Sequence, residues 1–145
     1  MLATAEGPQK ANAADVLGKG KVALFAVPGA FTPTCSAKHL PGFVQNTEAL
    51  KEKGVDKIVC MSVNDAFVMR AWRDAQNAGG IEMMADGNGD FSRALGLTMD
   101  AAGYGMGVRS KRFSAIIENG VVKKLNVEAP GEFKVSSAEH MLGQL

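Results

Sequence analysis

One cysteine, Cys35, ends a stiff polar loop that directly follows an apolar run. The run is KVALFA and the loop is VPGAFTPTC, which combines two prolines and two threonines with the cysteine. The apolar run predicts a buried strand. Thr32 or Thr34 can cap a following helix, in which Pro33 suits an early position. The pattern therefore predicts that Cys35 lies in the first turn of a helix.

The position predicted for Cys35 suits a reactive thiol. A thiol reacts as its thiolate, so its surroundings must stabilise negative charge, and a helix start supplies unpaired N–H groups and about half a unit of positive charge. The Thr32 hydroxyl can point toward the sulfur or toward a bound oxygen, while Pro28 and Pro33 can screen the sulfur from water. These features favour attack on a small polar substrate with a weak O–O bond, which leaves a sulfenic acid.

Apolar runs and helix signals alternate from residue 21 to residue 95. The predicted elements are a strand over 21–27, a helix from Thr32 or Thr34 that Pro41 interrupts or kinks, a helix over 42–53, a strand over 57–63, a helix that Asn64 caps and that ends near residue 78, a short strand over 81–84 and a helical turn over 91–95. Strand–helix–strand units favour parallel pairing with right-handed crossovers.

The C-terminal part is predicted to add an antiparallel hairpin and a closing helix. Strand-like runs over 112–118 and 121–127 flank an Asn-Gly pair, which is a strong hairpin signal. Ser136 or Ser137 can cap the last helix, which ends near residue 142. This order of elements predicts an α/β, thioredoxin-like fold with a central mixed sheet and flanking helices.

Length, charge and cysteine content are those of an ordinary globular protein. The chain has 145 residues and a net charge of +1, so we expect residues 1–145 to form one domain with no electrostatic footprint for nucleic acid. No apolar run approaches the ~20 residues of a membrane helix, and the start lacks the apolar core of a secretory signal. Two cysteines do not make a disulfide scaffold, so a reducing, cytoplasmic location is expected.

The residues around Cys35 resemble a known family. Pro28, Thr32 and Cys35 match the PxxxTxxC signature of peroxiredoxins. The longer strings VPGAFTPTCSAKHLPGF, CMSVNDAFVMRAW and RSKRFSAIIENGVVKKLNVE resemble the type II, or atypical, subfamily. The resemblance covers nearly the whole chain from Gly18 onward.

The resemblance implies roles for four residues. Cys35 would be the peroxidatic cysteine, Thr32 would hydrogen-bond the peroxide and the sulfur, and Pro28 would shield the site. The family's arginine falls on Arg112, whose guanidinium can hold the thiolate and the peroxide oxygens together; a plain surface charge is the alternative. The implied activity is reduction of hydrogen peroxide and organic hydroperoxides by a homodimer, and we expect neither a cofactor nor a metal.

The chain departs from the family pattern near its C-terminus. Many atypical members carry a second, resolving cysteine there, whereas this chain has Val135, Ser136 and Ser137 in that stretch. The other cysteine, Cys60, lies in a predicted central strand, and a bridge to Cys35 would need the two Cα atoms within roughly 7 Å. We therefore expect an external thiol to regenerate Cys35: glutathione with glutaredoxin as first choice, thioredoxin as second.

Several other polar and apolar residues receive non-catalytic expectations. His39 and His140 match no metal spacing, so solvated or capping roles are expected, with a helper role for His39 as a secondary interpretation. Arg109 is expected to be solvated, although it can orient neighbours. Phe43 and Met106 are expected to be exposed and to contribute to a dimer interface.

Two other functions stay open at this point. A thiol–disulfide exchange protein normally carries Cys-x-x-Cys, and Thr32 occupies the first of those positions. A redox-sensing binding module on a thioredoxin-like scaffold would have little need of Pro28, Thr32, Cys35 and Arg112 together. A peroxide-consumption assay with and without the Cys35 thiol separates the three functions.

Overall fold

Strands and helices alternate along most of the chain in a computed structural model of the protein, which describes residues 1–4 and 7–145. The strands are β1 (Leu2–Thr4), β2 (Gly7–Gln9), β3 (Lys21–Ala26), β4 (Lys57–Ser62), β5 (Glu82–Ala85), β6 (Thr98–Asp100), β7 (Val108–Ser110), β8 (Phe113–Glu118) and β9 (Val121–Val127). The α-helices are α1 (Ala13–Leu17), α2 (Leu40–Gln45), α3 (Thr47–Glu52), α4 (Ala66–Ala75), α5 (Asp90–Leu95) and α6 (Ala138–Leu142). A π-helical turn covers Cys35–His39, and a 3-10 turn covers Ala102–Tyr104.

The main sheet is mixed. Within the described residues it has seven strands in the order β2-β1-β5-β4-β3-β8-β9, and β6 and β7 form a separate antiparallel pair. Strand β4 runs parallel to both β3 and β5, whereas β8 runs antiparallel to β3. Helices connect the parallel strands, because such a connection must cross from one end of the sheet to the other. The predicted α/β, thioredoxin-like fold is confirmed.

The sheet separates two apolar clusters. Along β3, Ala23 and Phe25 face one cluster, while Val22 and Leu24 face the other. This alternation explains why the strand is a continuous apolar run, since a strand buried on both faces needs apolar residues at every position. The first cluster also contains Cys35, so the candidate nucleophile lies on the side of the sheet that α2, α4 and α6 cover.

The hairpin and the last helix form as predicted. Asn119 and Gly120 both have positive φ, 48° and 83°, as the tight turn between β8 and β9 requires. Ser137 caps α6, because its hydroxyl accepts a hydrogen bond from the His140 N–H at 3.1 Å. Local turn and cap chemistry was sufficient to predict these elements.

The cap of α4 differs from the prediction. Asp65, not Asn64, occupies the N-cap, and its carboxylate accepts from the Val68 N–H at 2.8 Å. The Asn64 side-chain oxygen instead accepts from the Ala30 N–H at 3.0 Å and from the Ser62 hydroxyl at 2.6 Å. Asn64 therefore ties the end of β4 to the loop that carries Cys35.

Short elements at the start of the chain and before β8 were not predicted. Strand β1 pairs with β5, and α1 buries Val16 and Leu17 under the sheet. These segments are too short and too rich in small residues to show a period of their own. No helix in the described part of the chain is long and apolar enough to cross a membrane.

Candidate active site

Cys35 begins a π-helical turn that ends at His39, two residues before Pro41. The Leu40 N–H donates to the Cys35 carbonyl, which is the wider spacing of a π-helix. Pro41 lies in the first turn of α2, where a missing N–H is tolerated, and the helical run continues through it. The predicted interruption at Pro41 is therefore not seen. Both ends of the turn, Cys35 and His39, are fully buried.

The threonines do not cap this helix through their side chains. Thr34 occupies the N-cap position and makes no side-chain cap bond. The Thr32 hydroxyl donates to the Gly29 carbonyl at 2.6 Å. Its proton is therefore directed at the loop backbone and not at the sulfur, while its oxygen lone pairs stay available to an incoming donor.

The guanidinium of Arg112 lies against the Cys35 sulfur. Its Nη2 donates to Sγ at 3.1 Å although the two residues are 77 positions apart. Arg112 immediately precedes β8, which pairs with β3, so the sheet brings it beside the loop that leaves β3. The hydrogen bond is charge-assisted, because the guanidinium is permanently cationic. Arg112 is therefore not a plain surface charge.

His39 is buried, which makes the predicted solvated or capping role wrong. Its ring lies 5.0 Å from the Phe25 ring, 5.7 Å from Phe43 and 5.1 Å from Phe133, centroid to centroid. Phe43 stacks on Phe25 at 4.0 Å and is fully buried, so its predicted exposure at a dimer interface is also wrong. The physical reason is that His39 follows Cys35 by four residues, about one helical turn, and so shares its buried face.

The hydrogen bonds of His39 determine its tautomer. Arginine can only donate, so the Nη1 of Arg112 donates to the His39 Nδ1 at 2.8 Å. The ring proton must then be on Nε2, which donates to the Ser136 carbonyl at 2.9 Å. Burial, and then the charge of Arg112, lowers the pKa of His39 to about 3, although the bond to Ser136 acts in the opposite direction. The imidazole is therefore neutral at physiological pH.

Cys60 lies in the core near Cys35. It is fully buried in β4, opposite Phe25 of β3, and it belongs to the same apolar cluster as Cys35. Burial, and then the neighbouring Cys35, raises the pKa of the Cys60 thiol well above its ordinary value. Both cysteines are free thiols. Cys60 is therefore a weak nucleophile in this fold.

Two residues beside the site were misjudged or missed. Arg109 is half-buried instead of solvated, because its Nε donates to the Met106 carbonyl at 2.8 Å and its Nη1 to the Val63 carbonyl at 3.1 Å. Glu128 is buried, and its Oε2 accepts from the backbone N–H groups of residues 134, 135 and 136 and from the Ser136 hydroxyl. The sequence analysis missed Glu128. The only local signal in the sequence was that this carboxylate lies between an edge strand and a Pro-Gly turn.

A cleft opens beside the loop that carries Cys35. Its volume is about 380 Å³, and its lining includes Pro28, Thr34, Met99, Tyr104, Arg112 and Pro130. Pro28 and Arg112 are therefore in the wall of this cleft, while Cys35 is buried behind its lining. Among the described residues, no group of three or more His, Cys, Asp or Glu side chains is arranged to hold a metal ion.

The fold and the site define a class of protein. A buried thiol at a helix start, after a central parallel strand and beside an arginine, belongs to a thiol-based redox protein of thioredoxin-like fold. The chain matches the family model described as Redoxin over residues 2–142. The extent of one domain over residues 1–145 stays a prediction.

Comparison of the chain with known proteins identifies a family within this class. Peroxiredoxin-2B of Arabidopsis thaliana is 49% identical over 138 residues, which cover 94% of this chain and 85% of that protein. The chloroplastic Peroxiredoxin-2E-2 of Oryza sativa subsp. japonica is 52% identical over 136 residues, 91% of this chain, but the chain spans only 60% of its length. The crystal structure of reduced Prx3 from Vibrio vulnificus in complex with H2O2 has a TM-score of 0.88 and 59% identity, covering 90% of this chain and 85% of that one. The chain belongs to the peroxiredoxin family, with its type II members.

Replacing Arg112 with methionine should slow peroxide attack by Cys35 on the order of 10²-fold or more, since a preorganised donor to the reacting atoms is lost. Stopped-flow measurement of the second-order rate constant with hydrogen peroxide checks this. Lys123→Met, which removes an exposed positive charge on the edge strand β9, is the control and should react like the parent. A rate within a few-fold of the parent for Arg112→Met would place the guanidinium outside the reaction.

The buried neutral His39 should make the protein sensitive to acid. Its pKa falls from 6.5 to about 3 on folding, so between these values the unfolded chain binds a proton that the folded chain excludes. The free energy of unfolding should therefore fall as pH decreases through this window, by up to about 1.4 kcal/mol per pH unit from this group. Urea unfolding at pH 7, 6 and 5 should show a shallower decrease for His39→Asn than for the parent. His140→Asn, on the exposed end of α6, is the control, and equal slopes in all three proteins would contradict a neutral His39.

Proposed function

We propose that the protein is a thiol peroxidase that reduces hydrogen peroxide and organic hydroperoxides at Cys35. The observation that carries the proposal is the 3.1 Å hydrogen bond from Arg112 to the Cys35 sulfur, at the end of the Pro28–Thr32 loop and beside an open cleft. The names of the relatives support it, and so does the similar Vibrio vulnificus protein, which was crystallised with H2O2.

The reaction follows from this arrangement. The Cys35 thiolate attacks one peroxide oxygen, an S–O bond forms as the O–O bond breaks, and Cys35 becomes a sulfenic acid. The other oxygen leaves with the bonding electron pair and takes a proton from solvent, giving water or an alcohol. Arg112 donates to the sulfur and to the developing negative charge on oxygen. Thr32, whose own proton is bound to the Gly29 carbonyl, accepts from the peroxide O–H, and Pro28 limits the access of water.

We propose further that an external thiol completes the cycle. A thiol attacks the sulfenic sulfur, water leaves, and a mixed disulfide forms. A second thiol then attacks the sulfur of the first thiol, which releases Cys35 as the free thiol and joins the two reductant thiols in a disulfide. The C-terminal stretch offers Ser136 and Ser137 and no cysteine, and Cys60 is a buried thiol of raised pKa. Glutathione with glutaredoxin is the first choice of reductant and thioredoxin the second. The reducing cytoplasm is the proposed location, and recovery of the protein from an oxidising compartment would contradict it.

The two cysteines should differ sharply in a turnover assay. Cys35→Ser should abolish peroxide consumption without changing the fold, while Cys60→Ser should keep most of the turnover with glutathione and glutaredoxin. Peptide mapping after one equivalent of peroxide, without added thiol, should find Cys35 as sulfenic or over-oxidised acid. A near-complete Cys35–Cys60 disulfide, together with loss of turnover in Cys60→Ser, would make Cys60 the resolving residue.

We also propose that the protein is a homodimer that buries the surface next to the active-site loop. The support is a group of apolar side chains there: Phe31 is 56% exposed, Tyr104 85% and Val108 47%. Met106, which was expected to be exposed, is half-buried against the loop, since a Cβ on Gly29 would come within 3.1 Å of its methyl group. Burial of such a group on association is favourable.

Phe31→Arg should shift the protein toward the monomer, because it puts a charge into the proposed apolar interface. Sedimentation at micromolar concentration measures the mass. Val121→Arg is a matched control, since Val121 is equally exposed, at 56%, but lies in the β8–β9 hairpin at the opposite end of the sheet. A parent that sediments as one chain, or equal behaviour of both variants, would contradict this interface.

A further inference from the structure

A series of hydrogen bonds connects Cys35 to the segment that follows β9. Arg112 donates to the Cys35 sulfur at 3.1 Å and to His39 Nδ1 at 2.8 Å. His39 Nε2 donates to the Ser136 carbonyl at 2.9 Å. The Ser136 N–H and hydroxyl donate to Glu128 Oε2 at 2.8 Å and 2.6 Å. The chain thus runs from the reacting sulfur to a buried carboxylate.

We propose that His39 is a positioning residue for peroxide attack, which holds Arg112 against the Cys35 sulfur and is itself anchored through Ser136 to Glu128. The inference rests on the proposed peroxidase function, because positioning has a kinetic meaning only if Cys35 reacts with peroxide. It gives His39 and Glu128 a function that does not require either residue to contact the Cys35 sulfur.

His39 can hold Arg112 because each of its ring nitrogens has one hydrogen-bonding role: Nδ1 accepts from Arg112, and Nε2 donates to the Ser136 carbonyl. The guanidinium supplies only donors, so Nδ1 is the acceptor that fixes one of its amino groups while the other faces the sulfur. An arginine has four flexible side-chain torsions, and without this acceptor the guanidinium would lose one of the contacts that orient it. Near a reacting atom, a displacement of about 1 Å can cost on the order of 10²-fold in rate.

The position of His39 in the chain determines how far its ring lies from Cys35. Cys35 and His39 are the two ends of one π-helical turn, so the distance between the sulfur and Nδ1 is set within five residues. The guanidinium spans these two groups. Phe133 packs on the imidazole at 5.1 Å between centroids and lies 5.8 Å from the guanidinium carbon, so its ring restricts both partners.

Glu128 fixes the far end of the chain. Its carboxylate accepts hydrogen bonds from the N–H groups of residues 134 to 136, and these bonds hold the loop that carries Phe133 and Ser136. The Glu128 N–H also donates to the Arg112 carbonyl at 2.9 Å. Arg112 is therefore held through its backbone by Glu128 and through its side chain by His39. Burial raises the pKa of Glu128, but the hydrogen bonds from Ser136, Lys134 and Val135 outweigh this and lower it, so the carboxylate stays charged.

The test compares two amide substitutions at His39. Asparagine places an oxygen acceptor near the Nδ1 position and keeps the bond from Arg112, whereas glutamine reaches the Ser136 carbonyl but leaves Arg112 without its acceptor. Both lose the ring contacts with Phe25 and Phe133, so the loss of stability is shared. The second-order rate constant with hydrogen peroxide should fall about tenfold or more in His39→Gln and only a few-fold in His39→Asn.

A double-mutant cycle separates positioning from a structural role. In an Arg112→Met background, His39→Gln should cause no further loss of rate, because the side chain that it holds is gone. Equal factors in both backgrounds, or equal rates for the asparagine and glutamine variants, would overturn the proposal. Glu128→Gln should slow the same step and be non-additive with His39→Gln, while Glu139→Gln, on the exposed face of α6, should not.

A measurement that does not depend on turnover checks the contact itself. Nitrogen-15 NMR of the imidazole should show His39 with its proton on Nε2 in the parent, and a changed Nδ1 signal in Arg112→Met. A parent that consumes no peroxide would refute the proposed function, and the tautomer would still report on the Arg112–His39 contact. A proton on Nδ1 in the parent would overturn the positioning role whatever the activity.

Discussion

The antiparallel pairing of β3 with β8 is the constraint on which the active site depends. Ala26 at the end of β3 lies opposite Phe113 at the start of β8. The loop to Cys35 leaves β3 at this end, and Arg112 directly precedes β8. Two side chains that are 77 positions apart therefore meet at one edge of the sheet. A shift of one residue in this register would turn Arg112 to the other face and remove the cation from the sulfur.

Placing a guanidinium beside a buried thiol is costly unless its donors find partners. The hydrogen-bond chain supplies two of these partners, the Cys35 sulfur and His39 Nδ1, and it ends on the charged carboxylate of Glu128. Since the links share donors and acceptors in series, each bond polarises the next. The same network that permits burial thus also orients the reacting groups, so stability and reactivity depend on the same contacts.

Local signals predicted the elements whose cause is local. The Asn119-Gly120 turn, the Ser137 cap and the strand before Cys35 each depend on a few neighbouring residues, and each forms as expected. Pro41 was predicted to interrupt the helix, but it lies in the first turn of α2 and the helical run continues through it. The positions of Asn64 and Asp65 were exchanged, because either residue type caps a helix and only the neighbouring Ala30 N–H decides between them.

The sequence by itself determined the fold class and the family, because strand runs, turn pairs and the PxxxTxxC string of Pro28, Thr32 and Cys35 are contiguous and carry their chemistry with them. The tertiary structure alone decided the environment of His39 and the partners of Arg109. The bond from His39 to Ser136 joins residues 97 positions apart, and that from Arg109 to Val63 joins residues 46 apart. A polar side chain has the same composition whether it is solvated or buried, and only the packing of distant elements around it determines which of the two is favourable.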